Sequence, residues 1–340
     1  MKPREIVERT LEYRGPERVA AMLIPPYWQD LLSCGMEQPG DGAWRAVGPE
    51  REERIDEWGN TWARLERASK GEVVRGALES YDALDALPLP DLANPTRFRR
   101  MADVFAADTQ DRYRLGYLPG FPFSLARKLR RLDRFLEDLV LERERVAVLL
   151  ERLTALLEAC LPRLREAGAD GVMFAEDWGT QTGLMIHPQM WREVFAPVFE
   201  RLCGAAHAAG LRVFMHSCGR ITDIIPDLIA VGVDVLQFSQ PRVHGLEALS
   251  RFHGQVTFWC SVDVQATLPT RDAARIAREA RDLLRLLGGP DGGLIAGCSP
   301  SDTVLGLEPC WQELACQTFT RYGCYRGSLP SIGLHTEDSQ

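Results

Sequence analysis

Between residues 171 and 322 short apolar runs alternate with longer amphipathic ones, and no other feature of the chain restricts its fold as strongly. The runs Gly171–Ala175, Leu211–Met215, Asp234–Phe238, Gln255–Trp259 and Gly292–Ala296 have the length and apolar content of buried strands. Apolar residues recur at helical spacing over Pro188–Ala209, Thr222–Val231, Gly245–Phe252, Arg271–Leu287 and Pro309–Tyr322. Ahead of the first strand, Val146, Leu149, Leu150, Leu153, Leu156 and Leu157 mark one face of a helix over Glu142–Ala167. Strands alternating with helices imply right-handed crossovers and a parallel sheet. Polar or ligand-type residues stand just past nearly every strand: Glu176 and Asp177, His216 and Cys218, Gln240, Cys260 and Asp263, and Cys298. A closed barrel gathers all strand C-termini on one face, whereas an open sheet spreads them along an edge. The expected fold class is therefore α/β, a (β/α)8 TIM barrel.

The 340 residues, 45% of them apolar, suffice for one large barrel. The first 120 are irregular, so the barrel is expected to carry an elaborated N-terminal region. There, Asp56-Glu57-Trp58-Gly59-Asn60-Thr61-Trp62 has the character of a turn between two short strands. Asn94-Pro95-Thr96 resembles a helix start, with Asn94 capping and Pro95 at the first position. One domain is expected over residues 1–326, followed by a disordered tail at 327–340. The Arg127-Lys128-Leu129-Arg130-Arg131 run is expected to be a solvated helix face.

Bulk properties narrow the partners. Forty basic residues against 48 acidic ones give a formal charge of −8, and no basic stripe is interleaved with aromatics, so nucleic acid is excluded as a partner. No run of apolar residues reaches membrane-spanning length, and Met1-Lys2-Pro3-Arg4-Glu5 opens no signal peptide. Nine irregularly spaced cysteines do not form a secreted disulfide framework. The expected location is cytoplasmic, where cysteines act as ligands, nucleophiles or core fillers.

Phe214-Met215-His216-Ser217-Cys218-Gly219 closes one strand with a His-x-Cys pair, and Cys298 closes another. Residues two apart on a strand point to the same face, so His216 and Cys218 can reach one ion. His, Cys and Cys make a three-ligand zinc set with one position open, the arrangement of a catalytic rather than a structural zinc. Glu176 or Asp177 would then be a labile fourth ligand, a hydrogen-bond partner of His216, or a proton acceptor. Asp263, Gln265 and Gln240 either position substrate or tie loops. Cys260 is either a further thiolate, which would close the site to substrate, or an inert residue of the barrel mouth. His187, ahead of Pro188, reads as a local cap.

Several of these segments resemble one family. Glu176-Asp177-Trp178-Gly179-Thr180-Gln181, His187-Pro188 with Trp191 and Pro197, His216-Ser217-Cys218-Gly219, Gln240-Pro241 and Asp263-Val264-Gln265 are similar to the uroporphyrinogen decarboxylase superfamily. Asp56-Glu57-Trp58-Gly59 and Pro16-Glu17-Arg18-Val19 fit it too. The resemblance implies a single (β/α)8 barrel with a decorated N-terminal part. True uroporphyrinogen decarboxylases carry an Arg-Gln-Ala-Gly-Arg-type loop that grips substrate carboxylates. After Arg18-Val19 this chain instead reads Met22-Leu23-Ile24-Pro25-Pro26-Tyr27-Trp28, without arginine.

The other branch resembles methylcobalamin:coenzyme M methyltransferases, which hold zinc with His-x-Cys and a distant Cys. More distantly, cobalamin-independent methionine synthase has a similar barrel and zinc set. The resemblance implies Zn2+ on His216, Cys218 and Cys298, assisted by Asp177 or Glu176, with Gln240, Asp263 and Gln265 contacting substrate. The implied reaction moves a methyl group between a corrinoid, or a methylated small molecule, and a zinc-activated thiol. The implied partners are that small-molecule thiol and a corrinoid protein. Competing readings are metal-free decarboxylation, a zinc-thiolate enzyme forming or cleaving C–S bonds, and a non-catalytic corrinoid- or metal-binding accessory protein.

Overall fold

The computed structural model describes residues 1–67, 69–298 and 306–325. Twelve strands are described: β1 (Ala20–Met22), β2 (Leu31–Gly35), β3 (Arg45–Gly48), β4 (Arg51–Ile55), β5 (Thr61–Arg64), β6 (Glu72–Arg75), β7 (Tyr113–Tyr117), β8 (Gly171–Ala175), β9 (Arg212–His216), β10 (Val235–Phe238), β11 (Thr257–Cys260) and β12 (Leu294–Gly297). Eight form one parallel sheet in the order β1-β12-β11-β10-β9-β8-β7-β2. This is the (β/α)8 barrel, with helices packed around it. All five strands expected from residue 171 onward are present, within three residues at either end. The tail at 327–340 lies outside the described residues.

Alternation divides the side chains into two cores. Ala20, Leu31, Tyr113, Leu115, Met173, Phe214, Val235, Trp259 and Ile295 fill the barrel. Ile6 and Val7 join them from the helix Pro3–Leu11, which plugs the N-terminal end. Their neighbours one position along, such as Val172, Met215, Leu236, Phe258 and Ala296, face the surrounding helices. The helices end where local chemistry dictates. Asp272 caps Ala273–Leu286 by accepting from the backbone N–H of Ala274 and of Arg275. The expected helix over Glu142–Ala167 breaks into Arg143–Glu158 and Leu161–Glu166, because Pro162 cannot continue the hydrogen-bond ladder and starts a new helix.

The N-terminal elaboration is an antiparallel sheet, β3-β4-β5-β6, inserted between β2 and β7. It leaves the C-terminal end of β2, so it belongs to the mouth of the barrel. The expected turn at Asp56–Trp62 joins β4 to β5, and Asp56 organises it. Its carboxylate accepts from Trp58 N, Asn60 N, Asn60 Nδ2 and Trp62 Nε1 at 2.6 to 3.0 Å. Asn94 caps Pro95–Phe98 as expected, but that segment is a 3-10 turn leading into the helix Arg99–Ala106.

The Arg127–Arg131 run is not a solvated face. Arg130 is buried in a two-point pair with Asp138 and donates to the carbonyls of Leu78 and Glu79. Lys128 donates to the Pro119 carbonyl at 3.4 Å and lies 5.9 Å from the Trp62 ring. These cations pin the helix Pro122–Arg130 across the mouth.

The seam between β1 and β2 is closed by a hairpin return, with Leu23 N donating to Trp28 O and Asp30 N to Ala21 O. Asp30, 1% exposed, receives both guanidinium NH2 groups of Arg18 at 2.7 Å and the Ala21 N–H at 2.9 Å. Removing one partner leaves a buried charge uncompensated, a loss of about 3–5 kcal/mol. Arg18→Ala should therefore lower the urea midpoint by that equivalent with the slope unchanged. A loss below about 1 kcal/mol, the scale of an exposed pair, would show that the seam does not depend on the pair.

Candidate functional site

The inward parity of β9 continues past its end. Phe214 is inside the barrel, so His216 and Cys218 stand on the same side, at the mouth. On β8 Met173 is inside, so Asp177 faces the mouth and Glu176 faces away from it.

Two glycines bring the loops after β8 and β9 together. A Cβ on Gly219, whose φ is +70°, would sit 2.3 Å from the Gly179 carbonyl oxygen. One on Gly179 would sit 2.6 Å from the Arg220 nitrogen. Neither position admits a side chain. The close crossing lets Arg220 N donate to Thr180 O at 2.7 Å and Cys218 N to Asp177 Oδ1 at 2.9 Å. Behind it, Trp178 stacks on Phe123 with centroids 4.0 Å apart, and Phe121 stacks on Phe174 at 3.4 Å.

Asp177, His216 and Cys218 each present one ligand atom, and these atoms lie within 4.8 Å of one another. His216 Nε2 is 3.2 Å from Cys218 Sγ and 3.7 Å from Asp177 Oδ1. Its other nitrogen, Nδ1, meets the side-chain oxygen of Gln237. A carbonyl oxygen only accepts, so the ring proton is assigned to Nδ1 and the lone pair to Nε2, facing Asp177 and Cys218. Cys218 is exposed at the mouth, yet the atoms crowding its thiol, and then the Asp177 carboxylate, raise the thiol's pKa. Arg127 approaches the far oxygen of Asp177 at 3.7 Å. A carboxylate, a thiol and an oriented imidazole lone pair in this arrangement are a donor set suited to zinc.

The remaining expected residues are distributed differently. Glu176 is fully buried, and its Oε1 accepts from Phe121 N at 3.0 Å and Ser124 N at 2.9 Å, capping the helix that crosses the mouth. Among the described residues its Oε2 has no hydrogen-bond partner, and burial raises its pKa to about 8. Asp263, also buried, accepts from the backbone of Arg242, Gln265 and Ala266 at 2.7 to 3.1 Å, and its own N–H donates to Glu279. Gln265 is exposed and accepts from Gln181 at 3.0 Å. Gln240 Oε1 is buried without a partner among the described residues. Cys260 is fully buried with outward parity, and burial raises its thiol strongly. Cys298 has outward parity as well; its thiol donates to the Met22 carbonyl at 3.6 Å and meets the Cys316 thiol, so it does not join Asp177, His216 and Cys218. His187 caps the helix Pro188–Val194 by accepting from Gln189 N.

Sequence reasoning missed Gln237 and Arg127. Gln237 is the polar residue inside an otherwise apolar strand, in register with His216, which was a readable signal. Arg127 carried none beyond its charge.

The family model for uroporphyrinogen decarboxylase matches residues 68–299. The chain belongs to the uroporphyrinogen decarboxylase family. Among solved structures, a methyltransferase from Methanosarcina mazei aligns with a TM-score of 0.60 at 16% identity, over 75% of this chain and 73% of that one. A B12-independent methionine synthase from a Shewanella strain aligns at 0.46 and 14% identity, over 66% and 64%. A D-psicose 3-epimerase from Clostridium cellulolyticum aligns at 0.44 and 10% identity, over 72% and 87%. At 16% identity the likeness to the methyltransferase is one of fold. No curated protein sequence matches the chain. No described helix of this family member is long and apolar enough to cross a membrane.

Glu176 makes stability depend on pH. Its pKa is 4.5 ordinarily and about 8 when folded, so between those values the folded state holds the extra proton. That contribution is complete below about 4.5 and is lost as pH rises through about 8. Glu176→Gln keeps the acceptor for Phe121 and Ser124 but cannot ionise. Relative to wild type it should gain at least about 1 kcal/mol between pH ~5 and pH ~9, the equivalent of one pKa unit. Urea unfolding at both pH values measures this, and parallel pH profiles would refute it.

Proposed function

We propose that this family member is a zinc-dependent methyltransferase, moving a methyl group between a corrinoid or methylated small molecule and a thiol activated at the barrel mouth. The observation that carries this reading is the cluster of Asp177, His216 and Cys218, with the imidazole lone pair turned toward the other two ligand atoms. His216 Nε2 and Cys218 Sγ would hold the ion, with an Asp177 oxygen as a labile ligand that a substrate thiol displaces. Cys298 would be a second thiolate, exchanging its contact with the Met22 carbonyl for the mouth. A zinc ion there supplies positive charge that makes a thiol ligand ionise at neutral pH.

The chain's own groups do the rest. Gln237 keeps the His216 proton on Nδ1, so that Nε2 stays a donor of electrons rather than of a proton. Asp177 is oriented by the Cys218 N–H and by Arg127, and its free lone pairs can take the proton a substrate thiol gives up. Two thiolate ligands would keep electron density at the site, which would leave a bound sulfur nucleophilic toward a methyl group. The small-molecule thiol and a corrinoid protein are the proposed partners. Glu176, Asp263, Gln240 and Gln265 take supporting places in this reading. Glu176 caps the helix over the mouth, and Asp263 ties the loop after β11. Gln240 and Gln265 are left to contact substrate.

Elemental mass spectrometry of protein purified without chelators tests the proposal. It should find about one zinc per chain, the stoichiometry of one mononuclear site, with the metal lost in His216→Ala and Cys218→Ala. Methyl transfer from methylcobalamin to a thiol should disappear in the same variants. Metal-free wild-type protein would overturn the proposal in favour of decarboxylation.

Gln237→Leu separates orientation from ligation. It preserves the fold and all ligand atoms, yet should weaken zinc binding about 10–100-fold, measured by competition with a chromogenic chelator. Unchanged affinity would show that the Gln237 contact does not orient the ligand.

A further inference from the structure

Beside the metal cluster, the floor of the mouth is built by the inward side chains of β9 to β12. His216, Gln237, Trp259 and Ile295 are in register across these strands. Trp259 belongs to the interior core, and its indole fills the space that a side chain on Gly297 would need. A Cβ there would stand 2.6 Å from Nε1 and 3.0 Å from Cδ1. The ring therefore lies over the end of β12, and the half-buried Met22 and Tyr117 pack on the same core.

Ser261 is the next inward position after Trp259. Cys260 and Val262 belong to the outer core, so the residue between them takes the side of Trp259. Ser261 is 3% exposed, and its buried hydroxyl has no hydrogen-bond partner among the described residues. An unpaired buried hydroxyl is destabilising, and a ligand group that pairs with it recovers the loss. No inward position of β10, β11 or β12 carries a charge. Arg127 and Lys128 stand instead on the helix Pro122–Arg130, beside β8.

We propose that Trp259 and Ser261 form the subsite for the tail of the substrate thiol, and that this tail is short, uncharged and ends in a hydroxyl. The assignment rests on the zinc–thiol reading, which puts the sulfur at His216 and Cys218. Adjacent strands are about 4.8 Å apart, so β9 and β11 are separated by about 10 Å at the backbone. Side chains from both strands reach into that gap and leave room only for a short chain. The tail carbons lie against the apolar indole, and the terminal hydroxyl pairs with Ser261 Oγ. An acidic tail would bury its carboxylate where no cation meets it.

Isothermal titration calorimetry on the zinc-loaded full chain tests the subsite with mercaptopropanol, propanethiol and mercaptopropionate, thiols of one chain length that differ in the end group. Wild type should bind mercaptopropanol roughly 3- to 10-fold more tightly than propanethiol, the scale of one neutral hydrogen bond, and mercaptopropionate most weakly. Ser261→Ala removes a hydroxyl that has no other partner. It should keep the melting temperature and the affinity for propanethiol while losing the preference for mercaptopropanol. Gly297→Ala drives a methyl group into the indole and should weaken both neutral thiols by the same factor. Three outcomes would overturn the subsite and leave the zinc reading intact: no preference for mercaptopropanol over propanethiol in wild type, a preference that survives Ser261→Ala, or tighter binding of mercaptopropionate. Wild-type affinities in Gly297→Ala would remove Trp259 from it. Protein that takes up no zinc, or that binds none of these thiols once loaded, would overturn both.

Discussion

A closed sheet of eight parallel strands sends every second side chain inward, and the chemistry of this chain follows from which residues fall on which side. His216 and Cys218 share the parity of Phe214, and Asp177 shares that of Met173, so three ligand atoms converge above the interior core. Glu176, Cys260 and Cys298 have the opposite parity and meet the outer layer instead. A shift of one position in any of these strands would exchange the two sets. The interior filling of Tyr113, Leu115, Phe214, Trp259 and Ile295 resists such shifts, because each would bring a differently shaped side chain into a packed layer.

Parity alone does not bring ligand atoms within bonding range, and the supporting structure supplies the rest. Gly179 and Gly219 let two loops cross at a separation that no Cβ allows. The stacked pairs Phe121–Phe174 and Phe123–Trp178 hold the helix Pro122–Arg130 against β8, and Glu176 caps that helix from beneath. The carboxyl of Glu176 is thus spent on backbone N–H groups, while its neighbour Asp177 faces the mouth.

Five of the eight barrel strands were legible in the sequence. β8 to β12 are bounded by glycines and by helices of ordinary length, so periodicity finds them. β1, β2 and β7 are hidden for physical reasons. β1 is three residues long and passes to β2 through a hairpin return with no intervening helix, and β2 is separated from β7 by an entire antiparallel sheet. Charge misled in a similar way. Arg127 to Arg131 resembles a solvated stripe because a sequence does not display Asp138, the carbonyls of Leu78 and Glu79, or the Trp62 ring that receive those cations. Of the candidate site, His216, Cys218 and Asp177 were legible from their places just past strands. Gln237 was overlooked although a lone amide in Val235–Phe238, aligned with His216, has few other reasons to be there.

The electrostatics of the mouth depend on how far the cations already present reach the cluster of Asp177, His216 and Cys218. Arg127 stands 3.7 Å from the outer oxygen of Asp177, and Lys128 lies on the same helix. Lys128 is turned toward the Pro119 carbonyl and Trp62, and burial followed by the Arg127 charge lowers its pKa. Arg127 and Lys70 favour the Cys218 thiolate too weakly to offset the burial of its sulfur and the Asp177 charge, and the thiol's pKa remains raised. A protein cation at several ångströms stabilises a thiolate through an intervening, partly polar medium, whereas a metal ion shares electrons with the sulfur directly. In the proposed zinc site, direct ligation would offset the burial and the Asp177 charge that raise the Cys218 thiol.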